Sequence, residues 1–201
     1  MTNNPQFQRP TLNFRGRKSP LTLTIGILVI LGAVFTAVSG FYADWLWFKS
    51  VNFTSTWSTV LGTKAMLFVV IGLITALFVM FNVLLAYKRR PLYVPMTIEA
   101  DNLERYRSQI EPIRRGVFLA GFLALFYFAG TSGSTLWSTW LLFKNSTEFG
   151  VKDPQFNMDI SFFAFRLPFW QTLIGWGITT LVLSIIASVA VHYLYGGIRL
   201  Q

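Results

Sequence analysis

Cysteine is missing from all 201 residues. That excludes disulfides, thiolate metal sites and a cysteine nucleophile, and leaves the redox compartment open. Histidine occurs once, as His192, so a histidine-based metal cluster within this chain is excluded too. Charge is scarce. Asp, Glu, Lys and Arg make up 12% of residues, against about 25% in a soluble domain, so a water-facing globule is not expected. No nucleotide loop or nucleophile elbow is present, and Gly196-Gly197 reads as a turn. The sequence offers no catalytic, cofactor-binding or metal-binding residue and predicts a non-enzymatic chain.

What it does have is four apolar stretches without an Asp, Glu, Lys or Arg, at about residues 21–43, 65–87, 116–137 and 168–195. At about 1.5 Å per helical residue, each crosses a hydrocarbon layer about 30 Å thick. A charge at the centre of such a helix costs about 2.5–3.5 kcal/mol on insertion scales. The pattern predicts an all-α, multi-pass transmembrane domain of four helices over residues 21–201, following a disordered basic tail over residues 1–20. The lipid bilayer is the expected partner.

Basic residues set the expected orientation. Arg9, Arg15, Arg17 and Lys18 precede the first span, Lys88, Arg89, Arg90, Arg105, Arg107, Arg114 and Arg115 lie between the second and third, and Arg199 follows the fourth. The opposite side holds only Lys49, Lys64, Lys144, Lys152 and Arg166. The positive-inside rule then places both termini in the cytoplasm and the 44–64 and 138–167 loops outside. The net charge of +9 is thereby assigned to lipid headgroups rather than to nucleic acid.

Tryptophan divides the same way. Trp45, Trp47, Trp57, Trp137, Trp140 and Trp170 fall at or beyond the outer ends, with Trp176 slightly deeper. Two readings fit. One is an interfacial girdle. The other is a packed aromatic docking face of Trp45, Trp47, Trp137, Trp140 and Trp170, meeting another domain or chain. The same edge carries Asp44, Lys64, Asp159 and Arg166. These read either as ordinary interfacial charges, as a ligand site, or as pairs pinning helix ends, such as Asp44 with Lys64 or Arg166.

Small residues mark expected helix contacts: Gly32, Thr36 and Gly40 in the first helix, Gly116, Ala120 and Ala124 in the third, and Ser184 and Ser188 in the fourth. Gly130-Thr131-Ser132-Gly133-Ser134 predicts a kink or unwound turn, since Gly weakens a helix by about 1 kcal/mol relative to Ala. Between the second and third spans, Leu103, Tyr106 and Ile110 share a face, which predicts an amphipathic cytoplasmic helix at about 102–111, ended by Pro112.

Three segments carry a family resemblance: Tyr42-Ala43-Asp44-Trp45-Leu46-Trp47-Phe48-Lys49-Ser50-Val51, the stretch from Asp153-Pro154-Gln155-Phe156 to Phe165-Arg166-Leu167-Pro168, and His192-Tyr193-Leu194-Tyr195-Gly196-Gly197-Ile198-Arg199. From about Leu21 onward the chain resembles uncharacterised protein family 0182, large bacterial membrane proteins frequent in actinobacteria. The resemblance implies a plasma-membrane location and hydrophobic helices followed by a larger extracytoplasmic region, so the expected status of this chain is an N-terminal piece. It supplies no catalytic residues. The expected role is an anchoring or scaffolding module for an extracytoplasmic domain or partner subunit. The alternative is part of a transporter or channel whose remaining helices lie elsewhere.

Overall fold

The computed structural model describes residues 20–90, 106 and 108–195. Residues 1–19 of the expected basic tail and residues 102–105 and 107 of the expected 102–111 helix lie outside the described residues; residues 106 and 108–110 are helical. Among the described residues the architecture is helical: α1 (Pro20–Ser50), α2 (Thr54–Lys88), a 3-10 turn (Glu111–Ile113), α3 (Arg114–Ser134), α4 (Trp137–Lys144), a π turn (Phe162–Arg166) and α5 (Leu167–Leu194). Among the described residues, four helical stretches are long and apolar enough to cross a membrane: Leu23–Ser50, Thr54–Lys88, Ser108–Ser134 and Phe162–Leu194. The chain divides into two compact units, the first ending at Trp57 and the second starting at Ser58.

In the first unit, α1 continues past the apolar stretch through Asp44 and Lys49. Charge ends a membrane-compatible run, but it does not end a helix, whose backbone hydrogen bonds are indifferent to it. Termination comes from Asn52, which adopts the left-handed conformation at φ 63°. The Phe53 N–H then donates to the Phe48 carbonyl at 2.9 Å and the Asn52 N–H to the Lys49 carbonyl at 3.2 Å, a Schellman cap. Two residues later α2 begins. The expected 44–64 loop is therefore mostly two helix ends joined by a tight turn.

In the second unit, α2 is the central element. Its buried face includes Thr63, Leu67, Gly72, Thr75 and Ala76, then Val79, Val83 and Ala86, the last three following Ala76 at steps of three and four that keep one stripe inward. Antiparallel to it lies α3. Phe126 covers Gly72, and Phe68 covers Gly130. The two phenylalanine rings meet edge to face with centroids 5.2 Å apart. A Cβ at Gly72 would sit 2.7 Å from the Phe126 carbonyl oxygen, one at Gly130 would sit 2.8 Å from that of Phe68, and one at Gly133 would sit 2.7 Å from Ile71 Cβ. These glycines admit a neighbouring helix at close range, as small residues do where packing rather than water exclusion drives association.

Three expectations change here. The Gly130–Ser134 stretch stays helical, and the break falls at Thr135-Leu136, between α3 and α4. On α3, Gly116 meets nothing within 4 Å, and Ala120 and Ala124 are exposed. The contact face is the Phe126–Gly133 side instead. Pro112 does not stop the chain from continuing as a helix. It occupies the 3-10 turn that leads into α3, where a missing N–H is tolerated.

Parallel to α2 runs α5, joined to it by the Trp176 indole N–H, which donates to Thr75 Oγ1 at 2.9 Å. Ser184 and Thr180 are buried along the same helix.

Candidate functional site

The second unit has a basic end and an aromatic end. At the basic end, α2 finishes, α3 begins and α5 finishes together, so their terminal side chains meet. Glu111 sits at the centre. Its Oε1 accepts from the Tyr87 hydroxyl at 2.8 Å and from Arg114 Nη1 at 2.6 Å. Its Oε2 accepts from the Tyr195 hydroxyl at 3.4 Å and lies 3.5 Å from Arg90 Nη1. The Arg90 guanidinium also covers the Tyr87 and Tyr195 rings, 4.3 and 4.9 Å from their centroids, and those rings meet edge to face at 5.2 Å. Each ion pair alone is a partly exposed contact of small worth. Together they tie three helix ends through one carboxylate. Sequence reasoning missed this junction. Its available signal was the Glu111–Arg114 spacing, a favourable i,i+3 pair.

At the aromatic end, α4 lies against the start of α5. Phe143 stacks on Phe169 at 4.1 Å, Trp140 lies 5.6 Å from Phe169, and Trp170 stands edge-on to Phe143 at 6.1 Å with its outer side exposed. Trp137 is drawn to α2, where Lys64 Nζ lies 5.4 Å from its ring centroid. Thus Trp137, Trp140 and Trp170 occupy one short helix and the helix start beside it. Trp45 and Trp47 belong to the first unit. There Tyr42 stacks on Trp45, Lys49 Nζ lies 4.9 Å from the Trp45 ring, and Trp47 is exposed. Asp44 is exposed in that unit as well.

Of the charged residues expected at this edge, Asp159 has the most defined surroundings. Its Oδ1 accepts the backbone N–H groups of Ser161 at 2.8 Å and Phe149 at 3.1 Å, and its Oδ2 accepts that of Gly150 at 2.8 Å. Gly150 reaches this arrangement at φ +74°, a conformation that favours glycine. Asp153 folds the adjoining turn by accepting from the Gln155 and Phe156 N–H groups. Arg166 donates to Ser146 Oγ at 3.4 Å. Lys64, Asp159 and Arg166 thus each have a separate partner among the described residues.

Hydrogen bonds from the Ser161 hydroxyl and N–H, then from the Phe149 and Gly150 N–H groups, lower the Asp159 carboxyl from its ordinary 3.8 to about 2. A depressed folded-state value contributes stability that is full above the ordinary value and lost as pH falls through the folded one. The 149–161 loop is therefore expected to loosen between about pH 4 and pH 2. The Gly150 and Ser161 amide proton shifts should titrate with an apparent midpoint of about 2, and Asp159→Asn should abolish the titration. A midpoint at the ordinary carboxylate value would sink this assignment.

Between the two ends, α2, α4 and α5 enclose an open cavity of about 170 Å³, lined solely by apolar surface, with Leu67, Val70 and Ile74 on one side and Trp140, Phe169 and Trp176 opposite. No group of three or more metal-ligating side chains occurs among the described residues.

Comparison with known proteins places this chain in a family. The model of the uncharacterised protein family UPF0182 matches residues 21–201. The chain is 45% identical over 183 residues to a UPF0182 protein of Streptomyces coelicolor, covering 91% of this chain and 18% of that protein. It is 44% identical over 196 residues to one of Salinispora tropica, covering 96% and 19% respectively. With that of Rhodococcus opacus, identity is 35% over 201 residues, which is 100% of this chain and 20% of the relative. The chain thus spans about a fifth of the length of these relatives. No solved structure matches. On the strength of its match from residue 21 to residue 201, the chain belongs to the uncharacterised protein family UPF0182.

Proposed function

We propose that this chain is a non-enzymatic anchoring module in a bacterial plasma membrane, with its basic end cytoplasmic and its aromatic end meeting an extracytoplasmic domain or partner. The observation that carries the reading is the aromatic ledge of Trp140, Phe143, Phe169 and Trp170. Its rings pack against one another across α4 and the start of α5, and Trp170 is left exposed. Exposed aromatic anchors on a fixed support are the usual centres of protein interfaces. Four apolar helical stretches supply the membrane attachment. The cavity, lined by apolar surface, offers an ion no coordination, which favours anchoring over conduction.

The natural lack of cysteine makes a clean test available. Single cysteines at positions 49 and 144 should react with an impermeant thiol reagent in intact cells, and one at position 88 only after permeabilisation. A photo-crosslinking phenylalanine analogue at Trp170 should form a protein adduct, which Trp140→Ala should reduce several-fold. Labelling of position 88 in intact cells would overturn the orientation, and adducts with lipid alone would overturn the docking role.

A further inference from the structure

The cavity between α2, α4 and α5 has the wrong character for a solute and the right one for a lipid tail. Its floor is Leu67, 7% exposed, while Val70 and Ile74 at its mouth are 45% and 48% exposed. Nearby polar atoms are turned away from it. The Trp176 N–H is committed to Thr75, and the Thr172 hydroxyl donates to the Pro168 carbonyl at 2.8 Å. An apolar cavity of about this size stays dry and accepts apolar ligands.

A charge completes the site. Lys64, Leu67, Ile71 and Ile74 follow one another at steps of three and four, so they share a face of α2. Leu67 lies only about 4.5 Å along the helix axis from Lys64, and Ile74 about 15 Å. The exposed Lys64 ammonium, held over Trp137, therefore stands roughly one turn above the start of the cavity. A cation followed by an apolar slot is the complement of a phosphate followed by an acyl chain.

We propose that this corner binds one anionic phospholipid, its phosphate on Lys64 and an acyl chain in the cavity between α2, α4 and α5. The site requires only that the helices lie in a bilayer, and it is independent of the docking role of Trp170 and of the orientation of the chain.

Native mass spectrometry of the chain released from nanodiscs of mixed phosphatidylglycerol and phosphatidylcholine reads this directly. One retained phosphatidylglycerol per chain is expected. Lys64→Gln should lower the preference for phosphatidylglycerol about fivefold, the worth of one surface lysine toward an anionic lipid. Ile74→Trp, which fills the mouth, should lower retention of both lipids. A photo-crosslinking analogue at Ile74 should form an adduct with an acyl chain, and it keeps the proposal testable if Ile74→Trp misfolds. Soluble glycerophosphate, which has the headgroup chemistry without the tails, should not displace the lipid. Displacement by glycerophosphate, unchanged selectivity in Lys64→Gln, or an adduct at position 74 landing on α1 or another protein would each overturn the proposal.

Discussion

Gly72→Ala and Gly130→Ala are expected to destabilise the second unit by about 3 kcal/mol each, the upper part of the usual range for overpacking. The added methyl group meets a carbonyl oxygen at 2.7 Å in the first case and 2.8 Å in the second. A flexible side chain gives way cheaply, but a carbonyl held in a helical ladder does not. Relief requires α2 and α3 to move apart, which opens the Phe68–Phe126 contact and removes dispersion contacts along the seam. Gly116→Ala is the control. Its new methyl group meets nothing within 4 Å, so stability should stay within about 0.5 kcal/mol. Unfolding by denaturing detergent, followed by circular dichroism, measures all three. Equal stability of Gly130→Ala and Gly116→Ala would rule out the close seam.

Replacing Glu111 should free three helix ends at once. Glu111→Ala removes the acceptor shared by Tyr87, Tyr195 and Arg114, and leaves Arg90 and Arg114 as like charges around an empty position. Amide exchange is expected to accelerate several-fold at both the end of α2 and the end of α5, and trypsin to cut faster after Lys88 and Arg89. Because the defect is repulsion between partly exposed charges, added salt should suppress it. A packing defect would not respond to salt. Glu111→Gln keeps a hydrogen-bond acceptor but loses the charge, so it should fall between the wild type and Glu111→Ala. Loosening confined to the α3 start, with the α5 end unchanged, would show that the carboxylate does not join the three helices.

Helix number was legible in the sequence because an uncharged run of sufficient length is a local property. The end of α5 falls within one residue of the expected span. Helix ends carrying charge were not legible in this way. Hydropathy marks where the apolar run ends, whereas Asn52 marks where α1 ends, through a backbone conformation that asparagine tolerates. The glycines show the same division from the other side. Gly130 and Gly133 stand out in the sequence as weak helix formers, yet that weakness is offset by the partner helix they admit.

The Trp-rich edge and its charges were likewise visible, but their partners were not. Lys64 meets Trp137 and Asp159 meets three backbone N–H groups, contacts between residues far apart in the chain or set by turn geometry. The Glu111 junction and the apolar cavity left still less trace, since each needs three elements to converge.

By itself, the sequence determined the class of this protein, the number of its long apolar helices and its family. Only the tertiary structure decided which faces meet. A helix that is apolar all round has no polar side to betray its packing. Its contacts are chosen by the size and shape of residues brought together from separate segments, and those are written in no single one of them.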